Sequence, residues 1–107
     1  ICSQTDGDYS KAEPNAAAIN LINKLYDEGH TIFLFTARLM GRHNNDWRKA
    51  YEEGYAFTKA QLDGWGVKYH DLFFGKPTLD ILIDDRGIFF ENNWQLIEKE
   101  IRKKLQE

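Results

Sequence analysis

The chain alternates amphipathic helical segments with short runs that are apolar on both faces, and this alternation limits the folds open to it. Residues 31–35 and 80–84 are the two clearest runs, and a weaker one spans 72–74. Such runs are typical of parallel strands that helices cover on both faces. Helices between them indicate βαβ units with right-handed crossovers. The pattern predicts an α/β fold with a three-layer, Rossmann-like parallel sheet that has helices on both faces.

Three helices are predicted around these strands. The first begins at Pro14, because the N–H that proline lacks would have no partner at the first position of a helix. It ends at a left-handed cap on Gly29. The second covers 47–63 with an interruption near Gly54, and the third extends from Asn93 to the end. With 107 residues and no repeat or linker, a single domain over residues 1–107 is expected.

Composition excludes several classes of function. Lys and Arg total 14 against 17 Asp and Glu, and the formal net charge is −3, so no basic footprint for nucleic acid exists. No apolar run reaches the ~20 residues of a membrane-spanning helix. Cys2 is the single cysteine and cannot form an intramolecular disulfide. We therefore expect neither a nucleic-acid nor a membrane partner, and a reducing, cytoplasmic location.

Polar residues follow each predicted strand. Thr36 and Ala37 follow the first, Lys76 the second, and Asp84 and Asp85 end the third. Ligands of open parallel sheets bind at the carboxyl ends of the strands, so these groups are expected to converge there. Adjacent carboxylates suit Mg²⁺, while an ammonium, a hydroxyl and backbone N–H groups suit phosphate oxygens. The sequence therefore predicts a site for a phosphoryl group bound with a metal.

The loop after the first strand adds cationic side chains. Arg38, Arg42 and His43 are candidate contacts for an anionic substrate, and a solvated loop with ordinary surface charges is an equal alternative.

Large apolar side chains are expected in the core, with a subunit interface of a homo-oligomer as the alternative for four of them. Those four are Ile88, Phe89, Phe90 and Trp94. Trp47 and Trp65 are likewise expected in the core.

Three segments resemble the second, third and fourth motifs of the haloacid dehalogenase superfamily. They are 33–38 (FLFTAR), 74–77 (FGKP) and 81–86 (ILIDDR), in the same order and with compatible spacing. The resemblance extends from about residue 14 to residue 86. It implies a Mg²⁺-dependent phosphomonoester hydrolase that acts through an aspartyl-phosphate.

The resemblance also implies roles for matching residues. Thr36 would bind the transferring phosphoryl group, and Lys76 would hold the nucleophile and the phosphate. Asp84 and Asp85 would position Mg²⁺. Within the superfamily the chain is most similar to small, capless bacterial phosphatases associated with capsular or surface polysaccharide biosynthesis. A phosphorylated small molecule or carbohydrate, such as a sugar phosphate, is the substrate class that this implies.

The first motif of that superfamily is missing from the chain. It is a hydrophobic strand followed by Asp-x-Asp-Gly-Thr, and it carries the nucleophile. Residues 6–8 (DGD) have the residue types in another order with no strand before them, and they are interpreted as a loop. We therefore expect a capless core without its first, central strand: an N-terminally truncated, inactive and marginally stable form of a phosphatase.

Two other interpretations remain beside the truncated phosphatase. One is a non-catalytic phosphate-binding or interaction domain that kept the pocket and lost the chemistry. The other is a domain like the receiver of response regulators, which is disfavoured because its acidic pair precedes its lysine by a long stretch, the reverse of the order here.

Overall fold

A computed structural model describes residues 1–5 and 7–106 of the chain. Asp6, part of the predicted loop at 6–8, lies outside the described residues. After a short 3₁₀ helix at Tyr9–Lys11, the elements in chain order are α1 (Ala16–Asp27), β1 (Phe33–Thr36), α2 (Trp47–Gly64), β2 (Asp71–Phe74) and α3 (Trp94–Leu105).

Each α-helix begins at a polar N-cap residue. Asn15, Asp46 and Asn93 accept hydrogen bonds from backbone N–H groups of the first turn, which would otherwise lack partners. Pro14 is therefore not the first helical residue; it lies just before the cap of α1. The left-handed cap at Gly29 is confirmed by its φ of 97°. Within the described parts of the chain, no helix is long and apolar enough to cross a membrane.

The two strands are parallel, as predicted. Phe33 lies opposite Asp71 and Thr36 lies opposite Phe74, so the strands end level with each other. Helix α2 forms the connection between them and packs on β2, where Leu72 and Phe74 are buried. Two parallel strands need a crossover of this kind, because the end of the first strand and the start of the second lie at opposite ends of the sheet.

Helix α2 approaches the sheet closely at Gly54. A Cβ built on Gly54 would lie 2.6 Å from Cδ1 of Leu39 and 3.2 Å from a ring carbon of Phe74. Both side chains are buried in the larger of two apolar clusters. The absence of a side chain at position 54 therefore sets the distance between α2, β2 and the loop after β1. The helix continues through this glycine without the predicted interruption.

The other helices pack on each other in a second apolar cluster. Leu21 and Leu25 of α1 meet Ile97 of α3 there. Arg102 of α3 forms a two-pronged ion pair with Glu28, at 2.6 and 2.8 Å. This hydrogen-bonded guanidinium lowers the pKa of the Glu28 carboxyl.

The predicted three-layer, Rossmann-like sheet with helices on both faces is wrong. In the described residues the sheet has two strands, and its second face is open: Phe33, Phe35 and Phe73 are 62%, 58% and 44% exposed. Residues 80–84 form no strand, and Ile83 is 96% exposed. An apolar run becomes a strand only where another strand pairs with its backbone, and none does so here. The haloacid dehalogenase-like core expected from the motifs is therefore not the observed architecture.

The predicted burial of large apolar residues is also wrong at several positions. Trp47, Phe89 and Phe90 are 52%, 86% and 63% exposed. Trp65, Ile88 and Trp94 are half-buried. Phe89 and Phe90 are exposed because, like residues 80–84, they belong to an irregular segment without a sheet to pack on. Their use in a subunit interface stays a prediction.

Replacing Gly54 by Ala is expected to destabilise the protein despite the higher helix propensity of Ala. The propensity gain is about 1 kcal/mol, whereas forcing a methyl group against Leu39 and Phe74 costs about 1–3 kcal/mol. The end of the Leu39 side chain has little room to move, because it is buried beside the same ring. Urea unfolding measures the difference. Gly64→Ala is the matched control in the same helix, since nothing lies within 4 Å of the added Cβ. Equal stability of the two variants would contradict the close approach.

Candidate functional site

Thr36 and Lys76 lie together at the carboxyl ends of the two strands. Thr36 is the last residue of β1, and its carbonyl accepts a hydrogen bond from the Lys76 N–H at 3.2 Å. The Thr36 hydroxyl accepts the Arg38 N–H at 3.1 Å, which leaves its own proton available to a ligand. Thr36 is half-buried and Lys76 is exposed. The level ends of a parallel pair thus join, through their main chains, two residues that are 40 apart in sequence and that carry a hydroxyl and an ammonium group.

The loop that begins at Ala37 is held in an unusual backbone conformation. Leu39, Asn44 and Asn45 have φ values of 67°, 54° and 62°, in the left-handed region that non-glycine residues seldom adopt. The Asn45 side chain accepts the Thr78 N–H at 2.9 Å, which ties this loop to the segment after Lys76. Strain of this kind persists only where the surroundings fix it. Two loops at the strand ends are therefore fixed relative to each other.

The predicted acidic pair is not joined to these residues. Asp84 and Asp85 are exposed in the irregular segment, and a turn forms where Asp84 Oδ1 accepts the Arg86 N–H at 2.8 Å. Asp85 lines a shallow cleft beside the end of α3. No hydrogen bond among the described residues connects either carboxylate to Thr36 or Lys76. The predicted convergence of three strand ends is thus observed for two of them, because the third run pairs with no strand.

Arg38 turns away from the strand ends toward α2. Its Nη1 donates to Thr58 Oγ1 at 3.1 Å and to Gln61 Oε1 at 2.8 Å, and Nη2 lies 3.7 Å from the sulfur of Cys2. The guanidinium also stacks on Tyr9, 4.7 Å from the ring centre. Arg38 therefore lines the space between β1, α2 and the N-terminal segment.

Arg42 and His43 are both bound to one carboxylate of α2. Arg42 Nη1 and His43 Nε2 each lie 2.6 Å from an oxygen of Glu53. The hydrogen bond from His43 is the largest influence on the Glu53 carboxyl and holds its pKa below the ordinary value. Desolvation opposes it, and the weaker hydrogen bond from Arg42 lowers the pKa further. These two candidate substrate contacts are thus separated from Arg38 and engaged by Glu53.

Sequence reasoning missed the polar residues around Arg38. Thr58 is 5% exposed and lies four residues from the buried Gly54 and Leu62 on the inner face of α2. A polar residue on the apolar face of a helix is a signal that a partner must exist. Its partner, Arg38, could not be identified from sequence, because the path of the loop depends on the left-handed backbone conformation at Leu39.

The described part of the chain contains no group of three or more His, Cys, Asp or Glu side chains that could hold a metal ion. The adjacent carboxylates of Asp84 and Asp85 are a chemically suitable donor set for Mg²⁺. This ion keeps several waters and is often held by one or two carboxylates plus phosphate oxygens.

Comparison with known proteins adds a structural relative. No family model matches the chain, and no curated protein does. A crystal structure of a structural-genomics target from Vibrio cholerae is similar, with a TM-score of 0.70 and 26% sequence identity. The match covers 87% of this chain and 85% of that one. That protein is described only as a target, so the likeness bears on the fold and not on an activity.

Removing His43 should raise the pKa of Glu53 toward its ordinary value, because the strongest hydrogen bond to the charged form is lost. The ¹³C chemical shift of the Glu53 carboxyl, followed from pH 2 to 7, measures this in His43→Gln. Arg42→Gln is the control and should raise the pKa less. The contact stabilises the loop while Glu53 is charged, and this contribution is lost as the pH falls through the lowered pKa. An unchanged titration in His43→Gln would contradict the contact.

Proposed function

We propose that the carboxyl ends of β1 and β2 bind the phosphoryl group of a phosphomonoester. The observation that supports this most directly is the hydrogen bond from the Lys76 N–H to the Thr36 carbonyl, which places the two residues side by side at level strand ends. A phosphoryl group needs hydrogen-bond donors and positive charge on the same side, and these two residue types supply both.

Thr36 and Lys76 would act in different ways. The Thr36 hydroxyl is fixed by the Arg38 N–H that it accepts, so its proton can be donated to a phosphate oxygen without competition from that bond. The Lys76 ammonium is exposed on a flexible stem and supplies a compact charge. Together they would orient the phosphorus and offset the negative charge that grows on its oxygens during transfer.

Mg²⁺ is the metal that the proposal includes, with Asp84 and Asp85 as its protein ligands. Both carboxylates are exposed, so water and substrate oxygens can complete the coordination. When bound, Mg²⁺ would neutralise charge on the phosphoryl oxygens. Because these residues lie in an irregular segment, the segment would have to be held near the strand ends for the site to be complete.

The activity that we propose for the protein is hydrolysis of a phosphomonoester, as in the haloacid dehalogenase-like phosphatases that the motifs resemble. A sugar phosphate or another polysaccharide precursor is the proposed substrate. The printed sequence contains no hydrophobic strand followed by Asp-x-Asp-Gly-Thr, so these 107 residues should bind phosphate without turning over an ester. The second candidate, favoured by the same missing motif, is a non-catalytic phosphate-binding or interaction domain.

Inorganic phosphate with Mg²⁺ tests the binding site directly. Titration followed by ¹H–¹⁵N NMR should shift the amide signals of Thr36 and Lys76. Lys76→Met should weaken phosphate binding at least about tenfold, since a charge-assisted hydrogen bond is lost. Lys68→Met is the matched control, because Lys68 is also an exposed lysine but precedes β2 at the opposite end, where it pairs with Asp27. Equal losses in the two variants, or no shift at Thr36, would overturn the proposal.

Two further measurements separate the candidate functions. Release of nitrophenol from para-nitrophenyl phosphate should be undetectable with these 107 residues, and metal-dependent turnover would contradict the missing nucleophile. Sequencing of the N-terminus of the natural polypeptide decides between the candidates. A hydrophobic strand with Asp-x-Asp before Ile1 supports the phosphatase, whereas a natural start at Ile1 supports the binding domain.

A further inference from the structure

A cavity of about 200 Å³ lies between β1, α2 and the N-terminal segment. Most of its wall is apolar, and the polar atoms come mainly from side chains around Arg38. Its lining includes Cys2, Thr36, Arg38, Thr58, Gln61 and Trp65.

Arg38 is the cation of this cavity. Its Nη1 hydrogens are used by Thr58 and Gln61, and one face of the guanidinium is covered by Tyr9. Among the described residues, Nε donates no hydrogen bond and no carboxylate forms an ion pair with the group. A half-buried guanidinium with donors to spare favours an anion as its partner.

The size and polarity of the wall define the anion. An apolar cavity of about 150 Å³ is known to hold benzene, so this one has room for a six-membered ring with a small substituent. One guanidinium balances one negative charge, and its planar edge matches a carboxylate. A phosphate dianion would leave excess charge against an apolar wall, which is costly.

We propose that this cavity binds a small carboxylate with an apolar body, with the carboxylate on the Nε edge of Arg38 and the body against Trp65. The inference does not rest on the proposed phosphatase function, because it uses Arg38 and the cavity wall and needs neither Lys76 nor the acidic pair. Thr36 lies at the border of both sites, so an occupant would also lie next to the strand ends.

Benzoate is the probe, and the Trp65 indole N–H signal in ¹H–¹⁵N spectra is the readout. The signal is assigned by comparison with Trp65→Phe. Benzoate should shift it saturably with a Kd on the order of 1 mM, as expected for a ligand of this size. Benzamide has the same shape without the charge and should bind at least about tenfold more weakly. This comparison needs no variant of the protein.

Arg38→Met should abolish the benzoate shift, whereas Arg42→Met should leave it unchanged, because Arg42 is outside the cavity and pairs with Glu53. Unfolding curves show whether Arg38→Met still folds. If it does not, the comparison of benzoate with benzamide decides alone. No saturable shift, equal binding of benzamide, or full binding in a folded Arg38→Met protein would each overturn the inference. Lys76→Met should retain benzoate binding. A failure to detect phosphate binding at the strand ends would therefore not affect the benzoate test.

Discussion

The close approach of α2 to the sheet at Gly54 is the constraint on which the rest of the structure depends. A helix and a strand can come this near only where no side chain separates them, and Leu39 and Phe74 fill the space. Leu39 is buried there with a positive φ, so the packing holds the loop after β1 in a conformation it would not choose alone. Phe74 lies opposite Thr36 in the strand register, so this contact is next to the strand ends.

The strained loop also separates three basic residues that are close in sequence. Arg38 turns toward α2 and the cavity, while Arg42 and His43 are engaged by Glu53. Lys76, by contrast, is bonded to Thr36 through its main-chain N–H at the strand ends. The division gives the two proposed sites different chemistry: a solvated ammonium suits a multiply charged phosphoryl group, and a half-buried guanidinium suits a single carboxylate.

The sheet is small for the apolar surface that it carries. Two strands with one covered face leave Phe33, Phe35 and Phe73 open to solvent, and residues 80–84 add an unpaired apolar run. Exposed apolar surface on this scale is uncommon in stable monomers, and two-stranded sheets depend on their packing partners. The stability of the chain therefore rests mainly on α2 against β2 and on α1 against α3.

The sequence alone determined the elements whose signals are local. An asparagine cap at 92 or 93, the stop at Gly29 and the parallel pairing of two strands that flank a helix could be predicted, because each depends on nearby residues or on periodicity. The same holds for Thr36 and Lys76 as neighbours at strand ends. Only tertiary structure decided whether residues 80–84 form a strand, since that requires a backbone partner. It also decided that Arg38 turns to Thr58, because a backbone strained by distant packing sets the direction of the side chain.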